Sequence, residues 1–437
     1  MGKVSEKIRL SIYEYVEGGT LLIGAFFRFF KLSGLPKGVY VDEPPLMYNA
    51  YCLANYGVDR YLHKLPIYPQ NWYGGQSPLY TYLLAFLYKL GFDSTSIFVL
   101  RLPAAIFSVV LMFMLFMTAR LLYNDKRIHL LAAITAAFVP YFIMQGRYAL
   151  DCNLLLSMVT LSVYFLLKYL KSGKTRQLII SGILFGLSLY AYALSYVLLA
   201  AFLILTGIYL LVTKKITFKK AVIWAFSVIV VSIPIILFAI SLLLRLEPYS
   251  FLGVTIAPVS ADRMSELSAN GMLANALKTF FATLTTDGRA FIAYNPFGTL
   301  NYVFLPFVIL GMVLSIIDFI KKLIKKEYCV DGIFLFLLLA NVLVGGLSDY
   351  VIIYRVNSIF LVYFFYLIKG AAFILCRDNL KKVYECAAYA LFALCGILFL
   401  ISYFGKYNEK YPVMVNLAEE AIEYAQGLSD GADIYVD

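Results

Sequence analysis

Charge is scarce in this chain of 437 residues. Asp, Glu, Lys and Arg make up 14% of it, against 62% hydrophobic types. Soluble domains carry about 25% charged and about 45–50% apolar residues. A soluble sphere cannot hide so much apolar surface, so most of it must face lipid. Histidine is nearly missing: His63 and His129 are the only two, which excludes a histidine-rich metal site. The six cysteines (Cys52, Cys152, Cys329, Cys376, Cys386 and Cys395) show no C-x-x-C pair and no disulfide-framework spacing. They read as small apolar packing groups. The sequence has no phosphate-binding G-x-x-x-x-G-K-[ST] loop, no G-x-S-x-G elbow and no H-E-x-x-H helix. Nucleotide-driven transport and the commoner hydrolase schemes therefore find no support. The absence of an internal repeat argues against a transporter built from inverted repeats.

What is present is a series of apolar runs long enough to cross a bilayer, which takes about 20 residues. They fall near 18–35, 99–122, 128–146, 153–170, 177–193, 196–213, 221–243, 303–320, 332–348, 355–373 and 386–404. The expected fold is an all-α integral membrane protein, a bundle of about eleven transmembrane helices. The net charge of +11 does not gather into one patch, so it argues for membrane topology and against nucleic acid. Basic clusters fall in alternate connections: Lys3, Lys7, Arg9; Arg120, Lys126, Arg127; Lys168, Lys171, Lys174, Arg176; Lys214, Lys215, Lys219, Lys220; Lys321, Lys322, Lys325, Lys326; and Lys369, Arg377, Lys381, Lys382. They hold more than half of the 37 Lys and Arg, which places the N-terminus inside and the C-terminus outside. The N-terminal run has no A-x-A-like cleavage site and reads as a retained first span.

This topology leaves two long outer segments, 36–101 and 244–302. The run Ser77–Leu90 is too short to cross and would invert every later basic loop if it did, so it is expected as a helix lying in the outer interface. Residues 1–404 form the membrane domain, and 405–437 are expected as a short outer tail. That tail contains an amphipathic stretch and a strand-like end that either pairs with an outer loop or begins a further domain.

Three clusters sit at the outer ends of spans. Asp42-Glu43 follows the first span among apolar neighbours, where a carboxylate is costly unless paired or used. It suits a general base, though an interfacial acid solvated by water is an equal reading. Arg147-Tyr148-Ala149-Leu150-Asp151 is squeezed between two spans. It reads either as a mutual ion pair or as groups facing the same cavity as Asp42. Tyr354-Arg355-Val356-Asn357 heads a late span, where an arginine fork suits a phosphate and snorkelling is the plain alternative. Of 36 Tyr, 35 Phe and two Trp, only Trp72 and Tyr73 are singled out as substrate-lining. They stand beside Gly74-Gly75-Gln76, whose glycines permit close backbone approach.

In this order the residues resemble the GT-C superfamily of polytopic glycosyltransferases, in the branch of protein O-mannosyltransferases and of aminoarabinose transferases acting on lipid A. The resemblance covers roughly the first two-thirds of the chain through short motifs. These are the acidic pair Asp42-Glu43, Pro78-Leu79-Tyr80, Arg101-Leu102-Pro103, the loop Arg147 to Asp151, and the late Arg355. It implies a GT-C-type bundle with interfacial helices in a long first outer loop. It also implies inverting transfer of a sugar from a polyprenyl-phosphate donor at the outer face of the cytoplasmic membrane. The acceptor, a protein, a lipid or a cell-wall glycan, is left open. By the same resemblance Asp42, Glu43 and Asp151 are the candidate catalytic residues, and Arg147, Arg355 and Gln76 the donor-phosphate residues. No cofactor is required. A divalent metal held by Asp42 and Asp151 stays open, since no ligand spacing demands one. Two departures stand out. Relatives often carry a lysine in a Lys-Pro-Pro-Leu-Tyr motif, where this chain has Gln76-Ser77-Pro78-Leu79-Tyr80. Here, too, Pro44-Pro45 follows the acidic pair. A flippase for lipid-linked oligosaccharides and a surface-polysaccharide polymerase or ligase are the rival readings. A flippase would set its charges at mid-membrane. The late outer loop has Arg245, Arg263 and Arg289 but no histidine.

Overall fold

A computed structural model describes residues 12–71, 74–259, 268–289, 293–348, 351–376 and 382–410. In chain order the helices are α1 (Ile12–Phe29), α2 (Glu43–Tyr56), α3 (Pro78–Lys89), α4 (Ile97–Leu122), α5 (Lys126–Phe138), α6 (Pro140–Met144), α7 (Asn153–Ser172), α8 (Thr175–Ser188), α9 (Ser195–Val212), α10 (Phe218–Leu244), α11 (Met272–Leu284), α12 (Leu305–Ile324), α13 (Asp331–Leu347), α14 (Ile359–Leu375) and α15 (Lys382–Lys410). Each of the eleven expected spans falls on a helix, with α5 and α6 sharing one. Six helices pass as membrane spans by length and composition, and a seventh if the bent α5–α6 pair is counted as one. α13 and α14 are apolar but shorter. The chain is a multi-pass membrane protein.

Most helices expose an apolar face and bury a stripe, as lipid-facing helices do. α7 is the central one: 78% of its apolar window is buried, against 22% for α12 and 28% for α10. α12 and α14 cross closely through Gly311 and Gly370. A Cβ on Gly311 would stand 1.8 Å from the Tyr366 carbonyl oxygen, and one on Gly370 would stand 2.1 Å from that of Phe307. Small residues are what let two membrane helices approach to backbone contact.

Two breaks shape the end of the bundle that carries the long loops. The first is a bend of 54° between α5 and α6. Pro140 has no N–H to continue the ladder, and Val139 before it is pushed to extended backbone, at φ −61° and ψ 131°. The second is α2, one of the interfacial helices that the resemblance implies for this loop, though no residue pattern marked it. Asp42 is its N-cap residue, and Pro44 and Pro45 occupy its first turn, where a missing N–H costs nothing. The first loop also contains α3 over the expected stretch and a small hairpin, β1 (Gln70–Asn71) with β2 (Gly74–Gly75). The second holds the hairpin β3 (Tyr249–Phe251) with β4 (Val254–Ile256) and then α11. The two loops join where the Ile67 N–H donates to the Thr255 carbonyl (2.8 Å) and the Thr255 N–H donates to that of Leu65 (3.2 Å). The amphipathic stretch and strand-like end expected after 410 lie outside the described residues.

At the opposite, basic end, Lys369 of α14 donates to Asp331 of α13 (2.6 Å) and Asp318 of α12 (2.8 Å). This ties three helices through one half-buried ammonium.

Candidate active site

The acidic pair divides by burial. Glu43 is fully buried, while Asp42 is half-buried. Glu43 is enclosed by donors. Arg101 Nε donates to Oε1 (2.9 Å) and Nη2 to Oε2 (3.0 Å), the Tyr40 N–H to Oε2 (2.7 Å), and the Ala149 N–H to Oε1 (2.8 Å). The rest of the Arg101 fork goes to carbonyls of the turn after α1: Leu32 (3.3 Å) and Pro36 (2.8 Å) from Nη1, and Gly38 (2.5 Å) from Nη2. A buried carboxylate with four donors and a matched fork is a fixed joint. It fastens the start of α2 to α4 and to the short loop 148–152. Placed so, Glu43 positions its neighbours and is not itself exposed to a substrate. Sequence reasoning noted Arg101 only as part of a motif. A fully buried acid at the boundary needs a cation, and that need is the signal that could have paired them.

The Ala149 contact brings Asp151 beside the acidic pair. Asp151 Oδ2 accepts the Ser77 N–H (2.9 Å), and Oδ1 accepts that of Cys152 (2.7 Å). One residue back, Gln76 Nε2 donates to the Asp42 carbonyl oxygen (2.8 Å). The dipeptide Gln76-Ser77 thus bridges Asp42 and Asp151. It is held by the loop before it. Asn49 of α2 donates to the Gln70 carbonyl (2.9 Å), and buried Asp59 accepts the N–H groups of Tyr61, His63 and Gln70. Gly75 must be glycine, because a Cβ there would lie 2.4 Å from the Tyr68 ring. Trp72 and Tyr73 lie outside the described residues.

The late cluster arrives from the other side. Arg355 lies in a short 3-10 turn, Ile353–Val356, and is 5% exposed. Asn357 follows and donates from Nδ2 to the Cys152 carbonyl (2.6 Å), which sets this turn against the Asp151 loop. Asp287 of the second loop accepts the Ile353 N–H (3.2 Å) and pairs with Arg289 (3.0 Å). Arg245 caps α10, and Arg263 lies outside the described residues.

Arg147, read from sequence as a donor-phosphate residue, has a different place. Its Nε donates to Leu35, its Nη1 to Phe27 and Arg28, and its Nη2 to Phe30, Lys31 and Leu35, all to carbonyl oxygens at 2.8–3.3 Å. Tyr403 and Phe404 of α15 cover its guanidinium. It is a cation at the C-terminal end of α1, where four carbonyls lack helical partners, and its donors are used up there. Arg28 repeats the device, donating to Ala136 (2.9 Å) and Ala137 (3.3 Å) at the end of α5.

Among the described residues no three of His, Cys, Asp and Glu come together. Glu43 is saturated, and both Asp151 oxygens already accept N–H groups.

The bundle, its bent span and its two long loops share their fold with solved membrane proteins. The chain is similar to ArnT from Cupriavidus metallidurans bound to undecaprenyl phosphate, with a TM-score of 0.53 and 14% identity over 88% of this chain and 64% of that one. It is also similar to the Archaeoglobus fulgidus oligosaccharyltransferase tethered with an acceptor peptide, with a TM-score of 0.52 and 15% identity over 89% of this chain and 55% of that one. The chain therefore spans between about half and two-thirds of the length of these proteins. No curated protein matches it by sequence. Residues 75–240 match the model of the dolichyl-phosphate-mannose-protein mannosyltransferase family, and this segment contains Gln76, Arg101, Arg147 and Asp151. That match covers less than half of the chain, and the solved structures share its fold.

Proposed function

We propose that this protein is an inverting glycosyltransferase that takes its sugar from a polyprenyl-phosphate donor. The observation that carries the reading is the bridge of Gln76 and Ser77 between Asp42 and Asp151, locked from beneath by Glu43 and Arg101. It joins half-buried Asp42, through its backbone carbonyl, to the carboxylate of Asp151. In the proposed reaction Asp42 takes the proton of the acceptor nucleophile, which attacks the anomeric carbon. The bond from that carbon to the phosphate oxygen breaks, and the phosphate leaves with the electron pair. One displacement inverts the anomeric configuration, through a transition state resembling an oxocarbenium ion. Arg355 balances the charge on the leaving phosphate. Asp151 keeps the Ser77 backbone, and with it the bridge, in place. No step is routed through a metal.

The chain crosses the membrane eleven times in this reading, with the N-terminus cytoplasmic and the loop end outside. The alternation of basic connections supports that orientation. The acceptor is a protein, a lipid or a cell-wall glycan. The test is release of free polyprenyl phosphate from a panel of polyprenyl-phosphate sugars, by purified protein in lipid with membrane extract as acceptor. Release that needs both the acceptor and Asp42 supports the reading. A folded protein that releases none from any donor overturns it and favours a flippase.

A further inference from the structure

Gln76 and Ser77 carry two polar atoms that the fold leaves unused. Gln76 is 4% exposed and Ser77 is fully buried. Gln76 Oε1 and Ser77 Oγ have no hydrogen-bond partner among the described residues. Buried polar atoms are satisfied in the great majority of cases, and leaving one unmet is costly. Two on adjacent residues, in the dipeptide that joins the Asp42 backbone to the Asp151 carboxylate, point to a partner that arrives with the substrate.

The chemistry of that partner follows from the amide. The Asp42 carbonyl can only accept, so the Gln76 atom 2.8 Å from it must be the nitrogen, which settles which way the side chain points. The atom left over is an acceptor. The phosphate of a polyprenyl-phosphate sugar is a diester anion whose oxygens only accept, so it cannot satisfy a carboxamide oxygen. A hydroxyl can: it donates to Gln76 Oε1 while its own oxygen accepts from Ser77 Oγ–H. We infer that Gln76 Oε1 and Ser77 Oγ form a hydroxyl-recognition pair of the substrate site, reading an uncharged hydroxyl and making no contact with the donor phosphate. The inference rests on the glycosyltransferase reading above. The hydroxyl belongs to the donor sugar or to the acceptor, and the two are separated by experiment.

Ser77→Ala and Gln76→Leu are prepared beside wild type in lipid nanodiscs. Ser77→Ala deletes one atom without a partner and leaves the N–H to Asp151 intact, so its fold is not at risk. Gln76→Leu also loses the Asp42 contact, and its melting temperature is recorded with it. Binding is measured to undecaprenyl phosphate alone and to undecaprenyl-phosphate hexoses. Half-saturation by membrane-extract acceptor is measured at saturating donor. A donor-sugar hydroxyl predicts unchanged binding of undecaprenyl phosphate and a loss of about three- to tenfold for the sugar-bearing donor, the size of one neutral hydrogen bond. An acceptor hydroxyl predicts unchanged donor binding and the same loss in acceptor half-saturation. An equal loss for undecaprenyl phosphate alone would put the pair on the phosphate and overturn the inference, as would no change in any arm. A folded wild type that binds neither ligand would instead bring down the glycosyltransferase reading, and this inference with it.

Discussion

Arg101 and Glu43 face each other as two parallel hydrogen bonds, 2.9 and 3.0 Å long, with neither side chain exposed to solvent. A pair so placed stabilises little over a well-packed apolar substitute, but it is costly to break from one side. Glu43→Ala should therefore lower stability by about 3–5 kcal/mol by stranding the guanidinium, seen as a lower melting temperature in detergent. The double variant Glu43→Leu/Arg101→Leu should recover much of that stability while transfer stays low, because the loop bearing Asp151 is no longer held by the Ala149 contact. A double variant as active as wild type would remove the positioning role.

Asp42 should separate chemistry from folding. It is half-buried, and its side chain makes no cap hydrogen bond to α2. Asp42→Asn should keep the melting temperature and reduce transfer about a hundredfold or more, the usual scale for a lost general base. Turnover close to wild type would end the assignment.

Arg355 and Arg147 offer a contrast between two arginines of one loop end. Arg355→Ala should raise the donor KM, and Arg355→Lys should restore part of the loss, since charge without the fork is retained. Arg147→Ala should destabilise by roughly 3 kcal/mol or more, because it strips a charged partner from the end of α1. Its residual folded fraction should bind donor normally. Weakened donor affinity in folded Arg147→Ala would return that residue to the phosphate.

The crossing of α12 and α14 is equally exposed to test. Gly311→Ala or Gly370→Ala forces the backbones apart and should cost about 1–3 kcal/mol or more. Expression and melting temperature read it. A neutral result would mean that the helices have room to separate.

The eleven apolar stretches were legible because lipid imposes length and composition on anything that crosses it. The short helix over 78–89 followed from the same ruler. α2 is too short to cross a membrane and opens on two prolines, so the ruler that finds spans passes over it. The bend at Val139-Pro140 was hidden inside one continuous apolar run. At the candidate site, Asp42, Asp151 and Arg355 drew notice by position, since charge at a membrane boundary is conspicuous, and their proposed roles came from the resemblance. Their partners could not. Arg147 stands four residues from Asp151 and makes its contacts with carbonyls more than a hundred residues back. Glu43 is as acidic as Asp42 in the sequence, and only burial tells them apart. The orientation of the Gln76 amide depends on a carbonyl 34 residues away, which no local pattern encodes.

The two buried arginines bear on how the chain is built. Arg28 on α1 closes the end of α5, and Arg147 beyond α6 closes the end of α1, with partners 108 to 120 residues apart. During synthesis the first helix enters the membrane long before either partner exists. Its arginine and its terminal carbonyls must stay near water, or near the insertion machinery, until the sixth helix has been made. Only then can α1 take its final seat, so a segment made well before its partners is docked only after them.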